Sequence, residues 1–102
     1  MRPRERAIIE GVEALGDAEL LAILIGSGVR GQDALSQAEQ MLLAFDNDLH
    51  GLGRSSILRL RSFHGMGDAR SACICAAMEL GRRRMQQPER LGYRMTKAVD
   101  IV

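Results

Sequence analysis

The stretch from Ser62 to Ala72, Ser-Phe-His-Gly-Met-Gly-Asp-Ala-Arg-Ser-Ala, carries the residue types and spacing best suited to chemistry with an anion. Gly65 and Gly67 stand two apart immediately before the longest helical run of the chain. Glycines so placed let the backbone turn sharply and approach another group closely, while Met66 between them can plug the turn into the core. The first amides of the helix that follows have no partner within it and lie at the positive end of its dipole. Phosphate suits such an end. Gly65, Met66 and Gly67 are therefore candidate phosphate contacts, with Arg70 one turn into the helix and Arg59 and Arg61 on the run before it. Asp68 works in the other direction: its carboxylate would repel a phosphate there, although it favours a helix start.

Covalent and metal chemistry find less support. Cys73 and Cys75 are the only cysteines and sit about 200° apart around a helix, so they cannot bridge each other. They are expected to be small buried apolar residues. A Cys/His nucleophile with His64 lacks a third group to orient the imidazole, and His50 and His64 stand alone without metal-ligand spacing. The residues thus assign no catalytic site, no metal and no cofactor, and the chain is expected to be non-enzymatic.

A chain of 102 residues is enough for one domain. At 46% apolar but 3% aromatic, its core must be built from Leu, Ile, Ala and Met, which predicts an all-α fold, a compact bundle of about five helices. Pro3 starts a helix to about Val12 with Ala7, Ile8 and Val12 inward. Gly16 occupies the N-cap of a second, central helix, with Glu19 as half of a capping box. Gln32 or Asp33 starts a third helix to about Phe45, whose apolar positions are Leu35, Ala38, Met41, Leu42 and Phe45. Asp46-Asn47-Asp48 reads as a turn, Leu49 to Gly53 as a surface loop, and Ser56 as the cap of a brief helix to Arg61 that buries Ile57, Leu60 and Phe63. The last helix spans Asp68 to about Arg84 and is expected to be the buried axis, with Ala72, Cys73, Ala76 and Leu80 in one core beside Leu21, Leu24 and Leu60. Arg82, Arg83 and Arg84 complement its negative end, too far from the turn to share its anion.

A shift of 39 residues superimposes Leu21, Leu24, Gly26, Gly28 and Ala38 on Leu60, Phe63, Gly65, Gly67 and Ala77. It predicts two hairpins related by an approximate two-fold axis, the first carrying an extra Val29-Arg30-Gly31 loop. Charge is divided as well. Residues 1–53 carry a net −5 and residues 54–84 a net +5, so the basic half is the half with the 65–67 turn. That distribution fits a polyanion footprint. With no apolar run near 18 residues and no basic-then-apolar leader, neither a membrane partner nor secretion is expected, and the expected location is the cytoplasm.

Gly65-Met66-Gly67 with Ala69 and Ala72 behind it resembles the helix-hairpin-helix motif of sequence-independent DNA-binding modules. The ordered series Arg2-Pro3-Arg4-Glu5-Arg6, Asp17-Ala18-Glu19-Leu20-Leu21-Ala22-Ile23-Leu24, Gly26-Ser27-Gly28, the hairpin, and Ala77-Met78-Glu79-Leu80-Gly81-Arg82-Arg83 resembles the amino-terminal domain of RadC-type proteins. The resemblance implies a helix-hairpin-helix domain over residues 1–85. Residues 86–102 would then be a linker in which Tyr93 to Val102 approaches a JAB/MPN metalloprotease-like domain. The His-x-His and Asp of that domain are absent from these residues. The implied function is sequence-independent DNA binding in a DNA-repair-associated protein; the alternative is an interaction or scaffolding domain that forms a homodimer or positions the JAB/MPN domain.

Overall fold

Each helix start but one follows from a residue that can satisfy a free backbone amide. The computed structural model describes residues 2–28 and 32–89. Among them are six α-helices: α1 Pro3–Glu10, α2 Asp17–Ile25, α3 Ala34–Ala44, α4 Leu49–Gly53, α5 Ile57–Arg61 and α6 Asp68–Gln86, with a single 3-10 turn at Val12–Ala14. Glu5 accepts the Arg2 N–H at 3.0 Å ahead of α1, and Glu19 accepts the Gly16 N–H at 2.9 Å ahead of α2, as the capping-box spacing predicts. Asp33 caps α3 through the Ser36 N–H at 2.8 Å. Ser56 caps α5 through the Arg59 N–H at 3.0 Å. Only α6, the longest helix described, begins on a glycine with no side chain returning to its amides.

The all-α expectation holds, and α2 is central: it packs against α1, α3 and α6, while α5 and α4 pack against α6. The core joins Leu21, Ala22 and Ile25 of α2, Ala38, Met41 and Leu42 of α3, Leu52, Leu60, Met66 and Ile74. Phe45 and Phe63 close its edge with ring centroids 6.0 Å apart. Arg6 ties α1 down by donating to Glu19 and to the Ala14 carbonyl at 2.9 Å. The 39-residue relation reappears in the backbone, since Gly26 at the end of α2 and Gly65 in the turn after α5 have φ 84° and 80°. These left-handed values favour glycine at both places. The Val29-Arg30-Gly31 loop and residues 90–102 lie outside the described residues.

The orientation of α6 corrects the sequence reading. Ala72, Cys73 and Ala76 are exposed and Leu80 keeps 68% of its surface in solvent. Ser71 and Ile74 are buried instead, with Cys75 and Met78 half-buried beside them. The helix has two apolar faces on nearly opposite sides, one of Ala69, Ala72, Cys73, Ala76 and Leu80, the other of Ile74, Cys75 and Met78. Both satisfy helical periodicity, but only the face with the larger side chains fills the space beside α2 and α5. Residues 49–53 are also helical rather than loop, because Asp48 accepts the His50 N–H at 3.1 Å and Leu52 anchors the turn at 1% exposure. That short helix makes the count six rather than five. Finally, α1 stops at Glu10, where Gly11 adopts φ 91°, and this leaves Ile8 and Val12 outside the core; Ile57 is likewise exposed.

Thiol labelling checks this orientation. Cys73 is exposed, whereas Cys75 is half-buried, its Sγ donates toward the Ser55 carbonyl at 3.6 Å, and burial pushes its pKa up. A limiting maleimide reagent should label Cys73 in the native protein and leave Cys75 largely unmodified, as read by peptide mass spectrometry. Preferential labelling of Cys75 would contradict the packing.

Candidate nucleic-acid interface

The turn between α5 and α6 is built by three internal ties. Met66 inserts its side chain into the core at 7% exposure, as expected, and its N–H donates to the Phe63 carbonyl at 3.1 Å. Arg70 donates from Nη1 to the Gly65 carbonyl at 2.9 Å, and Gln37 donates from Nε2 to the His64 carbonyl at 3.0 Å. The two consecutive carbonyls are thus held from α6 and from α3. Among the described residues no acceptor pairs with the N–H groups of Gly65, Gly67, Asp68, Ala69 or Arg70. The two glycines differ: Gly65 needs its left-handed φ, whereas Gly67 is extended at φ −107° and a Cβ there would meet nothing within 4 Å.

The cationic candidates are less free than their charge suggests. Arg70 is half-buried and committed to the Gly65 carbonyl, so it shapes the turn. Arg61 donates to Asp68 at 2.9 Å, and both side chains remain largely exposed. The pair offsets part of the repulsion that Asp68 would exert on an anion, and an exposed contact of this kind contributes little to stability. Arg59 lies over the Phe45 ring at 4.7 Å. The structure therefore gathers Arg61, Arg70 and the free amides around one turn, with Arg59 on the flanking helix. A separate cleft of about 690 Å³ adjoins the first unit, lined in part by Arg2, Arg4, Ile23, Ser27 and Leu35, and none of the six sequence candidates lines it.

At the far end of α6, Glu79 accepts from Arg82 at 2.9 and 2.7 Å and from Arg83 at 2.8 Å. The Arg82 contacts, then those of Arg83, hold its carboxyl down at about 2. A lowered folded-state pKa stabilises the fold above the unfolded-state value, and that contribution is lost as pH falls toward 2. Carboxyl-carbon NMR should find Glu79 still ionised at pH 3.5, and Arg82→Ala should raise its midpoint. A midpoint near 4.5 in the parent would show that the contacts do not persist.

Comparison with known proteins fits this helical unit. The family profile described as UPF0758 N-terminal matches residues 1–72. The chain belongs to the UPF0758 family. That is the RadC-like family whose ordered segments are visible in the sequence. A UPF0758 protein of Porphyromonas gingivalis is 51% identical over 83 residues, covering 80% of this chain and 37% of the relative. A UPF0758 protein of Flavobacterium johnsoniae is 46% identical over 82 residues, covering 80% and 35%. One from Halalkalibacterium halodurans is 39% identical over 101 residues, covering 97% and 43%. The chain thus spans about two fifths of the length of these relatives. No solved structure matches it.

Within this UPF0758 chain, Gln37 is the site residue that sequence reasoning passed over. Its signal was present: it stands one turn before Met41 and beside Ala38, a polar residue on the apolar face of α3, and it is 4% exposed. Arg6 is likewise absent from the sequence candidates although its contact with Glu19 joins α1 to α2. Among the described residues no three His, Cys, Asp or Glu side chains converge as a metal site would require, and no helix is long and apolar enough to cross a membrane.

Proposed function

We propose that this UPF0758 domain is a non-catalytic, cytoplasmic helix-hairpin-helix module that binds the DNA backbone without reading sequence, holding phosphate on the turn between α5 and α6. The observation that carries the reading is the uncapped start of α6, where the amides of Gly67, Asp68, Ala69 and Arg70 have no acceptor among the described residues and a Cβ on Gly67 would meet open space. A helix end of this kind supplies convergent donors and a favourable dipole. The +5 charge of residues 54–84 supplies the longer-range attraction. Such contacts position a protein on the backbone and carry no sequence information. In the longer proteins of the family, residues 86–102 would lead to the JAB/MPN domain, which the bound DNA would bring to its place of work.

Fluorescence anisotropy with duplex DNA tests the reading. Two to three phosphate contacts predict a loss of affinity of roughly 10- to 40-fold between 50 and 200 mM salt. Asp68→Asn should tighten binding about fivefold at the lower salt, because it removes a like charge near the phosphate and releases Arg61. No binding at 50 mM salt, or binding indifferent to Asp68→Asn, would remove the turn from the function.

A second reading is favoured by the outward apolar face of Ala69, Ala72, Cys73, Ala76 and Leu80 on α6. Small residues on a helix face permit close approach of another helix. On this reading the domain is a scaffold that pairs with a second copy or seats the JAB/MPN domain, and Leu80→Glu should abolish self-association seen by analytical ultracentrifugation while leaving DNA binding intact.

A further inference from the structure

We propose that Gln37 is a positioning residue for the phosphate-binding turn, acting across the two repeated units by fixing the direction of the Gly65 amide. The inference rests on the DNA-backbone reading above. The His64 carbonyl and the Gly65 N–H belong to one peptide plane, and in a trans peptide they point in opposite directions. Among the described residues no peptide bond is cis. By donating to that carbonyl at 3.0 Å from inside the core, Gln37 turns the Gly65 N–H away from α3. No acceptor among the described residues takes that N–H up.

The neighbouring plane is fixed separately, since Arg70 holds the Gly65 carbonyl and the Met66 N–H is spent on Phe63. Gln37 therefore governs the direction of the Gly65 N–H, which has no acceptor among the described residues and stays available to a ligand. Its place in the fold suits this task. It is the fourth residue of α3, buried at 4% exposure, and its Nε2 reaches the turn between α5 and α6.

The cost of this arrangement is visible, because Gln37 Oε1 is buried without a partner. A residue kept only for packing would do as well with an apolar side chain of the same length, which would leave no polar atom stranded. Gln37→Met removes the donor and the stranded oxygen together. It is expected to keep or raise the urea midpoint, to speed exchange of the Met66 amide, which is bonded to the Phe63 carbonyl within the same turn, about tenfold, and to weaken binding of a fluorescein-labelled duplex about fivefold.

Gln37→Glu adds a pH readout. Its carboxylate cannot donate to the His64 carbonyl, whereas the protonated acid can. Its affinity relative to the parent should therefore fall at pH 7 and recover toward pH 5. A Gln37→Met variant that binds and exchanges like the parent, or a Glu variant whose affinity relative to the parent does not change with pH, would overturn the proposal. If the parent itself binds no DNA, the phosphate reading fails and this inference with it, while parental exchange at Met66 in the Met variant would separately show that Gln37 does not order the turn.

Discussion

Ile74→Ala should cost about 2–5 kcal/mol of folding free energy, whereas Leu80→Ala, two turns further along the same helix, should change stability by no more than about 0.5 kcal/mol. Ile74 is fully buried where α6 meets the core, and truncation removes transfer energy and opens a cavity that close-packed neighbours refill only partly. Domains of this size are stable by roughly 5–15 kcal/mol, so the first change approaches the whole margin. Leu80 is 68% exposed. Urea unfolding of the two variants decides between the faces of α6, and a larger loss for Leu80→Ala would restore the orientation expected from the sequence.

The glycines of the two turns should respond in opposite ways. A Cβ on Gly28 would lie 2.5 Å from the Gln32 carbonyl oxygen and 2.6 Å from the Asp33 Cα. These are backbone atoms that cannot swing aside, so Gly28→Ala should destabilise the fold by about 3 kcal/mol. At Gly67 the same atom meets open space, and the extended backbone suits an N-cap side chain. Gly67→Ser should stabilise the domain by a few tenths of a kcal/mol, since its hydroxyl can accept from the N–H of Ala69 or Arg70. Thermal unfolding of both variants checks the contrast. Equal losses would mean that the second turn is as crowded as the first.

Much of the local structure was legible because it is written in pairs of residues. Gly16 with Glu19 and Ser56 at the head of α5 declare their helix starts by spacing alone. Gly26 and Gly65 share a positive φ, and their 39-residue separation could be read before any coordinates. What sequence could not decide was which apolar face of α6 turns inward, since that depends on the volume left by α2 and α5 and not on any period within α6. The short helix at 49–53 was hidden for a related reason: its two glycines read as loop, and only the burial of Leu52 together with the Asp48 cap overrides them.

At the candidate site the glycines and the arginines were visible, but their division of labour was not. Charge pattern cannot separate an arginine that meets solvent from one that holds a carbonyl, and Arg70 does the latter. Gln37 lies 27 residues from the carbonyl it holds, so only the packing of one unit on the other brings the two together.

The central claim is that the free amides at the start of α6 receive phosphate, and the affinity of Gly67→Ser for duplex DNA at about 50 mM salt tests it most directly. The serine hydroxyl would occupy an amide that phosphate needs, so the account predicts a domain that is more stable and yet binds about five- to tenfold more weakly than the parent. A Gly67→Ser protein that gains stability and binds DNA as tightly as the parent would contradict it.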